Sequence, residues 1–295
     1  MTDHPVLKPM KHAKGGLKSG LYIVATPIGN AKDITLRAME VLMKADRVYC
    51  EDTRITKKLF TLHGIQRKPD SYHEHSSDHV QAEILRHLEK GLSVALVSDA
   101  GTPLISDPGY RLVKQVREAG REVFSVPGAS SPIAALSITG FPSDRFLFAG
   151  FLPAKSAARQ TALVELVDIP VTIILFESPK RLIGLLEDID VVMPDREAAL
   201  CREMTKAYEE VLIGSSAELI ETLDANASAR GEFVVLIHPP AARERMPEAD
   251  VRESLGVALK SQPLKMAAAR VAELSGWSKR DVYQLALTFS ENADE

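Results

Sequence analysis

From Leu21 to His238 the sequence alternates short β-branched runs with stretches of helical periodicity. This alternation constrains the fold most, because it is met by α/β layers around largely parallel sheets. Leu21–Ala25, Arg47–Cys50, Ser93–Ser98 and Glu122–Val126 read as strands of a first domain. Between them, the stretch from Thr35 to Ala45 sets Leu36, Met39, Leu42 and Met43 on one helical face, and that from Ala82 to Leu92 does so with Ile84, Leu85 and Leu88. A second set follows Pro127-Gly-Ala-Ser-Ser131, with strands expected at Arg145–Ala149, Val171–Phe176, Arg196–Cys201 and Glu232–His238. The chain does not return to the first sheet in this reading, so the two layers should face each other across a cleft.

The expected organisation is a basic flexible tail over 1–20, an N-terminal α/β domain over 21–127, a C-terminal α/β domain over 128–240, and a helical appendage over 250–290. A chain of 295 residues with 45% hydrophobic composition can bury cores of that number. In the appendage, Leu264, Ala267, Ala268, Val271 and Leu274 form one stripe, and Val282, Leu285, Ala286 and Phe289 another. Ser275-Gly-Trp-Ser278 separates them, and Ser278 with Asp281 has the spacing of an N-cap. Lys260, Lys265, Arg270, Lys279 and Arg280 give this helix-turn-helix-like piece a basic face. Two readings stand for it: RNA contact, or a hairpin that packs or supports a dimer.

Lys8, Lys11, Lys14 and Lys18 precede no apolar signal core, and no run of about 18 apolar residues suggests a membrane span. Cys50 and Cys201 are far apart and outside any C-x-x-C spacing, which points to a reducing, cytoplasmic setting without a disulfide framework or zinc site. The net charge of −4 argues against coating nucleic acid by bulk electrostatics, so RNA contacts must be local.

Neither G-x-G-x-x-G nor a Gly-rich loop ending in Gly-Lys-Ser/Thr follows the first strand. Gly15-Gly-Leu-Lys-Ser19 has the composition of a phosphate loop but the wrong spacing and place, and reads as flexible tail. What does follow strands is Thr26-Pro-Ile-Gly-Asn30 and Asp99-Ala-Gly-Thr-Pro-Leu-Ile-Ser-Asp-Pro-Gly109, with Pro127-Gly128 at the same edge. Small residues at the carboxyl ends of strands let a ligand approach the backbone. Asp107 and Pro108 read as the start of the next helix, and Asp99 either binds the ligand or shapes the loop through an Asx-turn.

In order along the chain come Tyr22-Ile-Val-Ala-Thr-Pro-Ile-Gly-Asn30, Glu51-Asp-Thr-Arg54, Ser98-Asp-Ala-Gly-Thr-Pro103, Val126-Pro-Gly128, Gly150-Phe-Leu-Pro153, Phe176-Glu-Ser-Pro179, Arg202-Glu-Met-Thr-Lys206 and Gly231-Glu-Phe-Val234. This succession resembles the small-subunit ribosomal RNA methyltransferases of the tetrapyrrole methylase superfamily. The resemblance implies two unequal α/β domains, S-adenosylmethionine in the cleft between them with no metal, and 2′-O-methylation of a cytidine in the decoding region of 16S rRNA. It also implies a homodimer. Carried over by position, cofactor contacts fall on Ile28, Ala100, Gly101, Thr102, Ile105, Ser130, Ser131, Glu177 and Met204, although Met204 equally suits core filling.

Methyl transfer from a sulfonium depends mainly on in-line placement of the 2′-oxygen, while a base or a cation near the alkoxide adds about 10²–10⁴-fold. Glu177, Arg202 and Lys206 are the candidate catalysts among the charged motif residues, and Glu177 paired with Arg181 as a structural ion pair is the competing reading. Relatives often carry histidine where this chain has Lys180, so a histidine base is missing there; His73 and His75 beside Glu74 suit loop shaping. Arg54, Lys57, Lys58, Lys180, Arg181, Lys265, Lys279 and Arg280 are the candidate RNA contacts, suited to phosphate more than to base edges. The alternatives are a tetrapyrrole or diphthine-type methyltransferase of the same fold, or a non-catalytic ligand-sensing module that binds RNA.

Overall fold

The computed structural model describes residues 16–72, 78–106, 109–225, 231–241 and 246–291. The expectations for His73, Glu74, His75, Asp107 and Pro108, and for the lysines before residue 16, lie outside the described residues. The chain divides into two compact units between Pro239 and Pro240. The first unit holds both sheets.

The first sheet is formed by β1 (Gly20–Val24), β2 (Arg47–Cys50), β3 (Asp70–Ser71), β4 (Ser93–Val97) and β5 (Val123–Val126), with helices α1 (Leu36–Lys44), α2 (Thr53–Leu62), α3 (Asp78–Glu89) and α4 (Tyr110–Glu118) between them. Its order is β3-β2-β4-β1-β5 and every pair is parallel. Parallel strands covered on both faces must be apolar throughout, and β4 is buried along its whole length. Tyr22, Val24, Ala95 and Val97 pack with Val41, Leu42 and Phe60 on one face, and Leu21, Val94 and Leu96 pack with Ile84, Leu88 and Leu112 on the other.

After α5 (Ser131–Thr139), the second sheet is built from β6 (Phe146–Phe151), β7 (Thr172–Glu177), β8 (Ala198–Arg202), β9 (Glu210–Gly214) and β10 (Phe233–Ile237), with α6 (Ser156–Leu166), α7 (Pro179–Val192) and α8 (Ser216–Ala225). Its order is β6-β7-β10-β8-β9. Only β6 and β7 run parallel, and the remaining pairs are antiparallel. The expectation of largely parallel sheets is therefore corrected for this half. A hairpin joins β8 to β9, and β10 inserts antiparallel between β7 and β8. Ala135 and Leu136 of α5 cover one face of this sheet. Leu163, Leu182, Leu185, Leu186, Ile189, Leu219 and Leu223 of α6, α7 and α8 cover the other.

Three helical readings are also corrected. Thr35 caps α1 by accepting from the Ala38 N–H at 3.0 Å, and the buried stripe is Ala38, Val41, Leu42 and Ala45, while Leu36 and Met43 are exposed. Both stripes have helical spacing, and the one with alanines lets the helix lie closer to the sheet. Gly109 stands at the cap of α4, two residues beyond the expected start. The second unit contains α9 (Glu248–Leu259) ahead of the two expected helices, α10 (Leu264–Ser275) and α11 (Lys279–Glu291). Its core joins Val251 and Leu255 to Ala268, Val271, Ala272, Val282, Leu285 and Ala286, whereas Leu274 is exposed. Ser278 does cap α11, accepting from the Asp281 N–H at 3.1 Å.

One buried charge pair clamps α6 to α7. Arg159 Nε lies 2.5 Å from Asp188 Oδ2, and Ser156 and Gln160 donate to Asp188 Oδ1 at 2.7 and 2.8 Å. Burial raises the Asp188 carboxyl, but the hydrogen bonds from Ser156, Gln160 and Arg159 outweigh it and hold the group below its ordinary range. Its contribution is therefore complete above the unfolded-state value of about 3.9 and is lost as pH falls through the lower folded value. Asp188→Ala is expected to cost about 3–5 kcal/mol in urea unfolding at neutral pH, because it strands a buried guanidinium. Joint Arg159→Met and Asp188→Leu should recover most of that loss.

Candidate active site

The loops at the carboxyl ends of β1 and β4 are tied to each other. Thr26 and Gly101 exchange backbone hydrogen bonds of 2.8 and 3.1 Å, and Thr26 Oγ1 donates to the Ser98 carbonyl at 3.1 Å. Gly101 sits at φ +78°, a region that β-branched residues avoid. A Cβ there would meet Ile28 Cγ2 at 3.4 Å and the Ala129 carbonyl at 3.8 Å, so the demand for glycine is conformational more than spatial. Leu104 and Ser106 in the same loop hold φ of 75° and 61° without being glycine. Asp99 Oδ1 accepts from the Asp52 N–H at 2.9 Å, which ties the β4 loop to the start of α2 across 47 positions. Asp99 thus braces its loop through a distant partner, and it also lines the cavity shared by the two halves. Asp52 in turn caps α2 through the Arg54 N–H and binds the Arg54 guanidinium at 2.6 Å, which pushes its carboxyl down to about 2.

The second half presents Glu177 at the end of β7. Its carboxylate is fully buried; Oε1 accepts from the Ser178 N–H at 2.7 Å, and Oε2 lies 3.0 Å from Arg181 Nη2 without the alignment of a hydrogen bond. Arg181 also donates to the carbonyls of Leu152 and Pro153 at 2.7 and 3.3 Å. After β8, Glu203 and Thr205 adopt φ of 48° and 66°, bracketing Met204. Glu203 Oε1 accepts from Lys206 Nζ at 3.0 Å and from the Glu232 N–H at 3.0 Å, and Lys206 reaches Glu232 Oε2 at 3.1 Å. Burial disfavours the Lys206 charge, yet its bonds to Glu203 and Glu232 prevail and raise its pKa above the ordinary value. Lys206 is held as an ammonium.

The two halves touch where Asn30 N–H donates to Thr205 Oγ1 at 3.0 Å. Gly29 lies directly against this loop; a Cβ on it would fall 2.7 Å from Thr205 Oγ1 and 2.9 Å from the Met204 carbonyl. Beside this contact is a cavity of about 440 Å³. Ile28, Ala100, Gly101, Thr102, Ile105, Ser130 and Ser131 line it from the first half and its connection, and Glu177 and Met204 from the second. All nine positions singled out for cofactor contact thus line one cavity. Phe151, Phe176, Pro179 and Glu232 line it too. They fall inside quoted motifs, but sequence spacing alone did not separate cavity-facing members from their neighbours.

Arg202 and Lys206 do not line the cavity. Arg202 pairs with Glu210 at 3.5 Å and stands over the Phe233 ring at 6.0 Å. Arg54, Lys57 and Lys58 lie on an exposed stretch of α2, with Arg54 paired to Asp52, and Lys180 is exposed at the start of α7. Arg181 is committed to Glu177, Leu152 and Pro153. Lys265, Lys279 and Arg280 are exposed on the second unit. Cys50 and Cys201 are free and buried. Among the described residues there is no cluster of three or more His, Cys, Asp or Glu side chains suited to a metal, and no helix is long and apolar enough to cross a membrane.

Comparison with known proteins adds three findings. Residues 20–220 match the family model of Tetrapyrrole (Corrin/Porphyrin) Methylases, and residues 245–290 match that of the RsmI C-terminal HTH domain. The chain is 44% identical over 280 residues to Ribosomal RNA small subunit methyltransferase I of Mesorhizobium japonicum, covering 95% of each, and 44% identical to the protein of that name from Escherichia coli O157:H7, covering 90% of this chain and 94% of the relative. Among solved structures, a cobalt precorrin-4 methyltransferase superposes with a TM-score of 0.56 at 16% identity, covering 74% of this chain and 94% of that one. A uroporphyrin-III C-methyltransferase from Thermus thermophilus, complexed with S-adenosyl homocysteine, superposes with 0.52 at 16% identity, covering 74% and 97%. These two show a shared fold.

The close approach at Gly29 generates a direct test. Gly29→Ala must push the Met204–Lys206 loop outward, and is expected to lower stability by about 1–3 kcal/mol in denaturant unfolding, the usual cost of overpacking. Unchanged stability would mean that the two loops separate freely.

Proposed function

The chain belongs to the ribosomal RNA small subunit methyltransferase I family of tetrapyrrole methylases, and from that premise we propose that it transfers a methyl group from S-adenosylmethionine to the 2′-hydroxyl of a cytidine in the decoding region of 16S rRNA. The observation that carries the proposal is that all nine expected contacts, from both halves of the first unit, line the same cavity. Its volume of about 440 Å³ lies within the ~300–1,000 Å³ of sites that enclose a ligand of this size.

The residues present fit the cofactor. Ile28, Ile105 and Met204 offer apolar wall for a thioether and an adenine, and the backbone of Ala100–Thr102 with Ser130 and Ser131 offers polar groups for its ends. Ser130 stands at the N-cap of α5 with no side-chain cap bond, so its hydroxyl is not spent on the helix. Glu177 lines the cavity with its buried carboxylate fixed behind it by Ser178 and Arg181. When bound, the cofactor supplies an electrophilic methyl whose transfer leaves a neutral thioether.

We assign the rate to placement of the 2′-oxygen in line with that methyl, which converts a bimolecular encounter into an oriented one. Lys206, held as an ammonium, and Arg202, paired with Glu210, are assigned to holding the Met204 loop, and Glu177 to positioning. The target hydroxyl itself selects RNA over DNA. RNA capture is assigned to Lys57, Lys58 and Lys180 on the first unit and Lys265, Lys279 and Arg280 on the second, acting on phosphates. As part of the same reading, the family resemblance supports a homodimer, and the free buried cysteines suit a cytoplasmic setting.

The test uses small subunits from a strain lacking this activity, labelled cofactor, and mass-spectrometric mapping of the rRNA. Label on the ribose of a decoding-region cytidine is expected; label on a base, or none in RNA, overturns the proposal. Gly101→Val should weaken cofactor binding by about 5- to 30-fold in calorimetry, because the φ that it disfavours costs about 1–2 kcal/mol.

A further inference from the structure

Phe151 has no part in the scheme above, yet the backbone is distorted to aim it. β6 is an edge strand whose register with β7 runs Phe148 opposite Ile174, then shifts, so that Gly150 lies opposite Leu175 and Phe151 opposite Phe176. In a regular strand, residues three apart point to opposite faces. The bulge, with Gly150 at φ +66°, returns Phe151 to the face that Phe148 occupies. The two rings then flank Phe176 edge-to-face, at 4.9 Å for Phe148 and 5.5 Å for Phe151. Phe148 and Phe176 are partly buried against the sheet core, whereas Phe151 lines the cavity and remains 56% exposed.

The backbone that follows the ring is also anchored. The carbonyls of Leu152 and Pro153, the next two residues, accept from Arg181, which is ion-paired to the buried Glu177. Pro179 lines the same cavity, and the exposed Lys180 follows it. An aromatic face at a cavity wall, with an exposed lysine next in sequence to a wall residue, is the chemistry that receives an unstacked nucleotide: the base on the ring and its phosphate on the lysine.

We propose that Phe151 is the platform on which the base of the target nucleotide stacks after leaving the RNA stack. The inference rests on the function proposed above. A ribose within a stacked strand cannot bring its 2′-oxygen into a recessed site, so the nucleotide must turn outward, and a stacking partner offsets that cost. Stacking is tolerant of base identity, so Phe151 contributes affinity and alignment while leaving the choice of cytosine to other contacts.

The experiment compares wild type with Phe151→Ala, Phe151→Leu and Phe151→Trp, reading methylation kinetics on unmodified small subunits and, separately, cofactor affinity by calorimetry without RNA. Phe151→Ala is expected to lower kcat/KM for the subunit by about 5- to 150-fold, the loss typical of one base–aromatic stack. Cofactor affinity should not change. Phe151→Trp should restore activity and Phe151→Leu should not, because leucine keeps the bulk and lacks the π-face. Full activity in the alanine or leucine variant overturns the platform while leaving the proposed function standing. A parallel loss of cofactor affinity overturns it by assigning the ring to the cofactor's adenine. If wild type places no methyl in rRNA, both proposals fall together.

Discussion

The two halves of the first unit meet closely beside the cavity, where Gly29 and Asn30 lie against the loop from Met204 to Lys206. No side chain fits between them, since a Cβ on Gly29 would fall 2.7 Å from Thr205 Oγ1. The hydrogen bond from Asn30 to Thr205 fixes how far apart the two walls stand. Everything built on those walls inherits that spacing. The first wall is stiffened by the paired loops of Thr26 and Gly101, and the second by the Glu203–Lys206–Glu232 cluster. Strain collects at the same place: Leu104, Ser106, Glu203 and Thr205 adopt φ values that side chains usually avoid, as residues do where a site over-determines its backbone.

Charge in this unit is spent chiefly on geometry. Arg181 and Glu177 neutralise each other below the cavity wall while the guanidinium also binds two carbonyls, so one residue fixes the end of β7 and the exit of β6. Arg54 is committed to Asp52, and Arg159 to Asp188. A motif arginine is therefore a poor guide to contact with a substrate in this chain. The lysines that remain exposed, such as Lys57, Lys58 and Lys180, are better candidates.

Much of this was legible in the sequence, for definite physical reasons. β4 is apolar from Val94 to Val97 because a central parallel strand has no wet face, and the expected strand Ser93–Ser98 matches it to within one residue. The cavity-lining loops were legible because small residues cluster at strand ends. Strand direction was not: Val235 and Leu236 are buried whether β10 runs parallel or antiparallel, so the antiparallel half left no trace in the pattern. β9 escaped because it is a half-exposed edge. On α1, two stripes had the same period, and only packing distance chose between them. The bulge at Gly150 was beyond reach, because a glycine in a strand run does not say which way the next residue turns.

The order β3-β2-β4-β1-β5 carries a consequence for synthesis. β1 leaves the ribosome before the other strands of its sheet, and it lies inside that sheet with β4 on one edge and β5 on the other. Both partners come late, at Ser93–Val97 and Val123–Val126. Until then an apolar strand has no native neighbour on either edge, the condition under which strands pair wrongly with other chains. The second sheet closes its β8–β9 hairpin locally. The half made first is thus the half that waits longest for its fold, and its exposure during translation is set by topology alone.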